Sequence, residues 1–567
     1  MSQVTKTIIK LLVVLLISGS MLFMPFEEWG LPVNPIQTRV IALFVFAALM
    51  WILEVIPIWT TSVLVITLAL LGTSNTSLNF LKVDKFNGKE VAAIVADAYG
   101  PSANAEVVKA TQASVSEKLK KATSLTPDVV RSTINTAILT PVVSGEADAA
   151  QATALKEAAG RLYDGEISAR ISGLQLTNLT QQKSIFATFA DPIIILFLGG
   201  FFLADAATKF RLDINLARVL LKPFGTNPKY VLLGLMSVTA LFSMFMSNTA
   251  TAAMMLALLT PVLALFKPED RGRAAFALCI PIGANVGGIG TPIGTPPNAI
   301  ALKFMQENGW NVTFGDWMMF GIPFVIIMLL IGWVILIKMF PISQKSLDLA
   351  KEMKGKFMTT PKAWVVYITF IVTILLWVIP KQYHGLDANS VAIIPIAVFS
   401  VTGVITKKDL KAMSWDVLWL VAGGFALGVA LGETNLASDL IRSIPFAEWD
   451  SLALIVGSSL ICLFMATFMS HTATAALLMP IMASVAAGMV AGGAMDAPGA
   501  IGLLVTIAFA SSLGMALPIS TPPNAMAYAT GHVEQKGMAI SGTILCLIGL
   551  ALSIGLMYLL GAVGFFG

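Results

Sequence analysis

Apolar runs about as long as a bilayer is thick recur along almost the whole chain, and they constrain it more than any motif does. Residues 40–53, 193–207, 231–246 and 544–560, taken with their flanks, come close to the ~20 apolar residues that a helix needs to cross ~30 Å of hydrocarbon. Charge points the same way: Asp, Glu, Lys and Arg make up 12% of the residues, against roughly 25% in soluble domains. The ~10-residue alternating segments of a membrane β-barrel are absent. The chain reads as an all-α polytopic membrane protein that must satisfy its backbone within each segment, so any interrupted helix needs a reason.

The net charge of +4, with no clustered basic face, leaves no footprint for a nucleic acid. Cys279, Cys462 and Cys546 lie far apart in apolar segments without CxxC spacing, and read as small buried hydrophobes. Lys6 and Lys10 ahead of an apolar run resemble the start of a signal peptide. No small-residue cleavage motif follows, so a retained first span is expected.

One stretch breaks the composition. Residues 82–185 hold 12 Lys and Arg and 11 Asp and Glu, about 22% charged, whereas the other 463 residues are about 10% charged. This reads as a soluble, mostly helical insert, with helices expected over 106–122 and 149–163. The flanking regions divide into N-terminal helices over 1–81, a first repeat over 186–340, a linker over 341–362 and a second repeat over 363–567. Lys6 and Lys10, the group from Lys209 to Lys229, the five lysines of 344–362 and Lys407, Lys408 and Lys411 mark cytoplasmic segments by the positive-inside rule. The cation-poor stretches 306–316, 432–450 and 492–499 then lie outside. The expected topology is a cytoplasmic N-terminus, an odd number of crossings, and an extracytoplasmic insert and C-terminus, in a bacterial plasma membrane.

The two halves echo each other. Gly199-Gly200-Phe201 returns as Gly423-Gly424-Phe425, Ser247-Asn248-Thr249-Ala250-Thr251 as Ser470-His471-Thr472-Ala473-Thr474, and Thr295-Pro296-Pro297-Asn298 as Thr521-Pro522-Pro523-Asn524. The order is kept at offsets of 223 to 226. With the charge topology above, an odd number of crossings separates equivalent positions, so the repeats are inverted. Secondary transporters use inverted repeats with interrupted helices to build a site near the midplane.

The repeated motifs say where the interruptions fall. Residues 231–265 are apolar without a charge and carry the polar triplet in the middle. That suits two half-depth helices folded back as a re-entrant hairpin, and 452–490 repeats the arrangement around Ser470. A tip of this kind is tolerated only beside protein or a watery cavity. In 275–302 and 500–529 adjacent prolines stop the helical ladder, giving two broken helices whose freed carbonyls and N-termini can meet a cation and an anion. Residues 242–266, 279–302, 459–490 and 507–530 contain no Lys or Arg. An anion bound there must be held by hydroxyls, amides, helix dipoles and a co-bound cation. A channel would call for charged or carbonyl rings, and an enzyme for a nucleophile–base or metal cluster; with three histidines and no ring, neither pattern is present.

These triplets and Thr-Pro-Pro-Asn segments resemble the divalent anion–sodium symporter family, whose bacterial members include dicarboxylate transporters. The resemblance covers nearly all of the chain outside the insert. It implies a homodimer, a scaffold and a moving transport domain in each protomer, an elevator mechanism, and sodium-coupled import of a succinate-, malate- or fumarate-like dianion. It places the anion against Ser247, Asn248, Thr249, Thr295, Ser470, His471, Thr472, Thr521 and Pro522, and one Na⁺ against Ser243, Ser247, Asn248 and Gly294. A second Na⁺ would use Ser470, His471 and Ser520. There the chain departs from the family pattern: His471 replaces an Asn, and Ala466 stands where a hydroxyl is expected. A His in that tip is also similar to related phosphate transporters, which leaves phosphate or sulfate, or sodium-free exchange, as alternatives.

Overall fold

The computed structural model describes residues 3–566 apart from 30, 32, 102, 123, 175, 264–265, 268, 348–356, 437–438 and 440–449. The lysines expected at 351, 354 and 356 in the linker and most of the loop before 450 lie outside the described residues. Among those described there is no strand, and the one extended pairing is an isolated bridge between Ser74 and Thr180. Among the described residues nine helices, both arms of the second hairpin included, are long and apolar enough to cross a membrane.

Nine uninterrupted helices frame the molecule: α1 (Gln3–Ser20), α2 (Pro35–Leu53), α3 (Ile58–Thr73), α4 (Pro192–Lys209), α5 (Phe314–Met339), α6 (Pro361–Val378), α7 (Ala388–Val401), α8 (Trp415–Glu433) and α9 (Gln535–Ala562). Between them lie two hairpins, Pro228–Ser243 with Asn248–Leu263 and Ser451–Phe468 with His471–Ala491. Two broken helices complete the set, Gly272–Gly288 with Pro296–Glu307 and Ala497–Leu513 with Pro522–Ala529. The hairpin arms differ from the expected half-depth segments. They run 16 to 21 residues, roughly 24–31 Å at 1.5 Å per residue, more than half of a ~30 Å core. The reason is local: each arm is predominantly apolar, and Pro261 and Pro480 are accommodated within the returning arms rather than ending them.

The helices pack into two groups. One joins α1–α3 with α4, α6, α7 and α8; the other joins both hairpins, both broken helices, α5 and α9. The Gly-Gly-Phe repeats sit where these groups are made and where they meet. Added Cβ atoms at Gly199 and Gly423 would fall 2.5 Å from the Ala392 carbonyl oxygen and 2.4 Å from Ser62 Cβ, so only glycine lets α4 close on α7 and α8 on α3. The next glycine of each pair faces the other group, Gly200 toward Ile293 and Gly424 toward Ala476. The helices α4 and α8 run antiparallel. Lys209 at the end of α4 pairs at 2.6 Å with Asp409, just ahead of α8, while Glu433 at the end of α8 accepts at 2.6 Å from Ser184, just ahead of α4.

The insert folds around its own core. Helices Gly88–Tyr99, Ala105–Lys121, Pro127–Val143, Ala149–Arg161 and Gly165–Ser172 bury Ile94, Val115, Leu119, Ile134 and Leu162 against one another, apart from the membrane core. Asn87, Asn104, Thr126 and Asp148 cap four of these helices with their side chains. Asn178 is buried, its amide clasping the backbone of Leu125. Composition sets the boundary at 185 a little late. Thr180 bonds Thr73, Gln181 N–H donates to Glu433, and Ile185 belongs to the membrane core. Because the insert's core is separate, replacing residues 82–176 by a short Gly/Ser linker should leave the bundle helical and monodisperse. Circular dichroism and size-exclusion chromatography in detergent check this, and an aggregated bundle would show that the insert clamps α3 to α4.

Candidate functional site

Both hairpin tips and both helix breaks open onto one cavity of about 380 Å³, a size ordinary for a small-molecule site. Its walls include Ser247, Asn248, Thr249 and Gly294-Thr295-Pro296 from the first repeat, and Ser470, His471, Thr472 and Ser520 to Pro523 from the second. The facing group adds Ile58, Trp59, Phe197, Gly200, Phe201, Asp416 and Leu420. Eleven of the twelve residues expected at the site thus line a single cavity; the twelfth, Ser243, is buried just behind Asn248. No Lys or Arg is among the lining residues, and Asp416 is the acid that reaches it.

The sequence folds this way because each break is capped and stapled. Ser247 Oγ accepts from Ala250 N–H at 3.2 Å and Ser470 Oγ from Ala473 N–H at 3.1 Å, so each tip serine caps the returning arm. Thr295 and Thr521 occupy the N-cap position ahead of prolines, whose missing N–H is no loss in a first turn. Four helix N-termini therefore converge on the cavity, each carrying about half a positive charge at its end. The carbonyls freed by the prolines are taken up by two amides. Asn298 Nδ2 donates to Gly288, Ile289 and Thr291, and Asn524 Nδ2 to Met515 and Leu517. Asn285 ties the halves together, its Nδ2 3.2 Å from both Thr521 Oγ1 and Asn524 Oδ1.

Sequence reasoning missed Asn285, Asn298 and Asn524. For the latter two the signal was present, since the Asn of Thr-Pro-Pro-Asn repeats, and a buried amide after a proline break is what the released carbonyls require.

Beside the first tip the oxygens gather. The amide oxygen of Asn248, as placed, lies 2.6 Å from Ser243 Oγ and 3.2 Å from the carbonyl oxygens of Ala284 and Gly294; Ser243 Oγ is also 2.7 Å from Ala284 O. Turned over, the amide nitrogen donates to all three. In that orientation the amide satisfies the three oxygens without any ion; a hard cation such as Na⁺, which takes oxygen ligands, would be met by Ser243 Oγ, the Ala284 and Gly294 carbonyls and the amide oxygen turned toward them. Ala284, whose carbonyl no sequence signal marks, belongs to this cluster. Ser247, expected in the set, has its Oγ engaged at the cap instead.

The second tip differs. Ala466 puts a methyl where Ser243 has its hydroxyl, and it packs so closely on Gly514 that a Cβ there would lie 2.6 Å from the Ala466 Cβ. His471 Nε2 sits 2.9 Å from Gly514 O, and Ser520 Oγ donates to Thr467 O at 2.6 Å. The two side-chain oxygens of the first cluster, from Ser243 and Asn248, thus correspond in the second half to a methyl and a ring nitrogen.

Comparison with known proteins agrees with this architecture. A family model described as the sodium:sulfate symporter transmembrane region matches residues 133–563. The chain belongs to the divalent anion–sodium symporter family. It is 34% identical over 390 residues to an uncharacterized transporter of Haemophilus influenzae, covering 65% of this chain and 81% of that one. To the sodium-dependent dicarboxylate transporter SdcS of Staphylococcus saprophyticus it is 30% identical over 425 residues, covering 68% and 80%. To the inorganic phosphate transporter PHO87 of Saccharomyces cerevisiae it is 30% identical over 358 residues, covering 62% of this chain and 38% of that longer one. As a member of this symporter family the chain is an integral membrane protein and a secondary transporter of small anions.

Proposed function

We propose that the chain imports a C4-dicarboxylate coupled to Na⁺, with one anion and one cation held side by side at the first tip. The observation that carries this reading is the cavity itself. Four helix N-termini and a set of hydroxyls face it without a lysine or arginine, and an oxygen cage adjoins it. Dipoles alone bind a dianion weakly, so a cation in the cage supplies the missing charge, and occupancy of each site favours the other. SdcS, a sodium-dependent dicarboxylate transporter, lends the substrate class. A second reading, inorganic phosphate, is favoured by His471 in the second tip and by the likeness to PHO87.

The moving parts follow from the two packed groups. The group holding the hairpins and broken helices carries the site as the transport domain, and α1–α4 with α6–α8 form the scaffold. Gly200 and Gly424 keep the surface between them smooth enough to slide. We assign a homodimer in a bacterial plasma membrane, with the N-terminus cytoplasmic and the insert and C-terminus outside. Purified protein in proteoliposomes should accumulate succinate or phosphate only with an inward Na⁺ gradient. We take the second tip, with a methyl at Ala466 and a ring nitrogen at His471, as holding no cation, so initial rates should depend on Na⁺ with a Hill coefficient near one. A coefficient near two would restore the second cation site. Equal uptake in choline, with internal anion required, would establish an exchanger.

A further inference from the structure

His471 is the first residue of the returning arm of the second hairpin. It is 8% exposed and lines the cavity. Its Nε2 lies 2.9 Å from the carbonyl oxygen of Gly514, the residue that ends the first half of the second broken helix. A carbonyl only accepts, so Nε2 carries the hydrogen. A neutral imidazole has one N–H, which leaves Nδ1 as a bare acceptor. Among the described residues nothing donates to Nδ1, and it is not among the sealed polar atoms of the interior. Most polar groups at the two tips and breaks are of the opposite kind, since the N-termini present N–H groups and the hydroxyls can donate; Asp416 and the amide oxygen of Asn285 are the side-chain acceptors elsewhere on the wall. At the equivalent place in the first tip, Asn248 can turn its amide either way. The ring of His471, held by Gly514, presents one face.

Building on the reading above, we propose that His471, locked by the Gly514 carbonyl, selects small dianions that bring their own O–H. An anion made only of acceptors sets lone pair against lone pair at Nδ1, whereas a hydroxyl closes a hydrogen bond there. Two matched pairs isolate this chemistry. Malate and succinate differ by one hydroxyl, and at about pH 8, above the ordinary titration of His, hydrogenphosphate and sulfate share shape and charge and differ by one proton.

The test measures binding of these four anions to the purified full-length protein in Na⁺ by isothermal titration calorimetry, for wild type and for His471→Asn. In whichever pair binds, the O–H member should bind roughly tenfold or more tightly, since a site that hydrogen-bonds a substrate hydroxyl rejects the analogue lacking it. His471→Asn, whose amide can donate or accept, should bring that ratio within about threefold, whatever the absolute affinity. Equal or tighter binding of succinate or sulfate by the wild type would overturn the inference, as an imidazolium donating from both nitrogens would do. So would an unchanged ratio in His471→Asn. If that variant misfolds, the wild-type ratio decides alone. Should none of the four anions bind in Na⁺, the importer reading itself fails, an outcome distinct from binding without discrimination.

Discussion

Asn248→Ala is expected to abolish sodium-driven uptake while leaving a folded, membrane-inserted protein. On the proposed reading the side chain serves both ligands at once: its amide lies within 2.6–3.2 Å of Ser243 Oγ, Ala284 O and Gly294 O, and it stands at the head of a helix that lines the cavity. Truncation removes a cation ligand and an anion contact together. Hydrogen bonds to charged groups are worth about 1.5–3 kcal/mol each, so losing two lowers combined affinity by 100-fold or more at 1.4 kcal/mol per decade. Ser243→Ala separates the two effects, because Ser243 is buried behind Asn248 and touches only the cage. It should raise the Na⁺ concentration for half-maximal uptake about tenfold and shift the apparent anion affinity only through the coupling. Radiolabelled uptake at varied Na⁺, with thermal melts of each variant, checks both; near wild-type transport by Asn248→Ala would remove the first tip from the site.

Much of this was legible in the sequence because the physics at stake is local. A polar triplet in the middle of 35 apolar residues has few ways to exist in a bilayer, and adjacent prolines end a helix wherever they occur. Duplication of both signals, in order, marked the residues that line the cavity. The contribution of Ala284 was not legible: its carbonyl faces Ser243 and Asn248, and a main-chain oxygen leaves no mark in the residue type. Asn285 was missed for a different reason. It lies in the last turn of the first half of a broken helix, ahead of the prolines, and acts across the repeats on Thr521 and Asn524, pairings 236 and 239 residues distant in sequence. Lys303 shows the limit of reading by windows. It follows immediately on the cation-free stretch that ends at residue 302, yet it turns away from the cavity toward the partners that matter to it.

Those partners make Lys303 the second test of the mechanism. Its ammonium pairs with Asp191 and, at 3.0 Å, with Glu307, and it sits 4.3 Å from the centre of the Phe425 ring. Lys303 and Glu307 belong to the first broken helix; Asp191 caps α4 and Phe425 lies on α8, so the contacts cross between the two packed groups. They also lie away from the cavity mouth. Ile58, Trp59, Asp416 and Val417, from the first turns of α3 and α8, line the cavity, and the Lys209–Asp409 ion pair and the Ser184–Glu433 hydrogen bond, which hold α4 antiparallel to α8, put Asp191 at the opposite end of α8. If the transport group slides, Lys303 must leave Asp191 and Phe425 before the site can open on the other side. Lys303 and Asp191 are only 11% and 13% exposed, so removing Asp191 leaves a largely buried ammonium with Glu307 as its remaining carboxylate, at a cost below the ~3–5 kcal/mol of a buried charge with no partner. At ~1.4 kcal/mol per decade, Asp191→Asn should shift the resting orientation about tenfold or more toward the state that opens at the Asp191 end. The three native cysteines are buried, so maleimide labelling of a single Val417→Cys in the cavity wall reports the change: Asp191→Asn should slow it, and replacing that substitution by the swap Asp191→Lys with Lys303→Asp should bring it back. Labelling that stays at the parent rate, with uptake unaltered, would reduce the Lys303 contacts to packing and leave the sliding surface to the glycines alone.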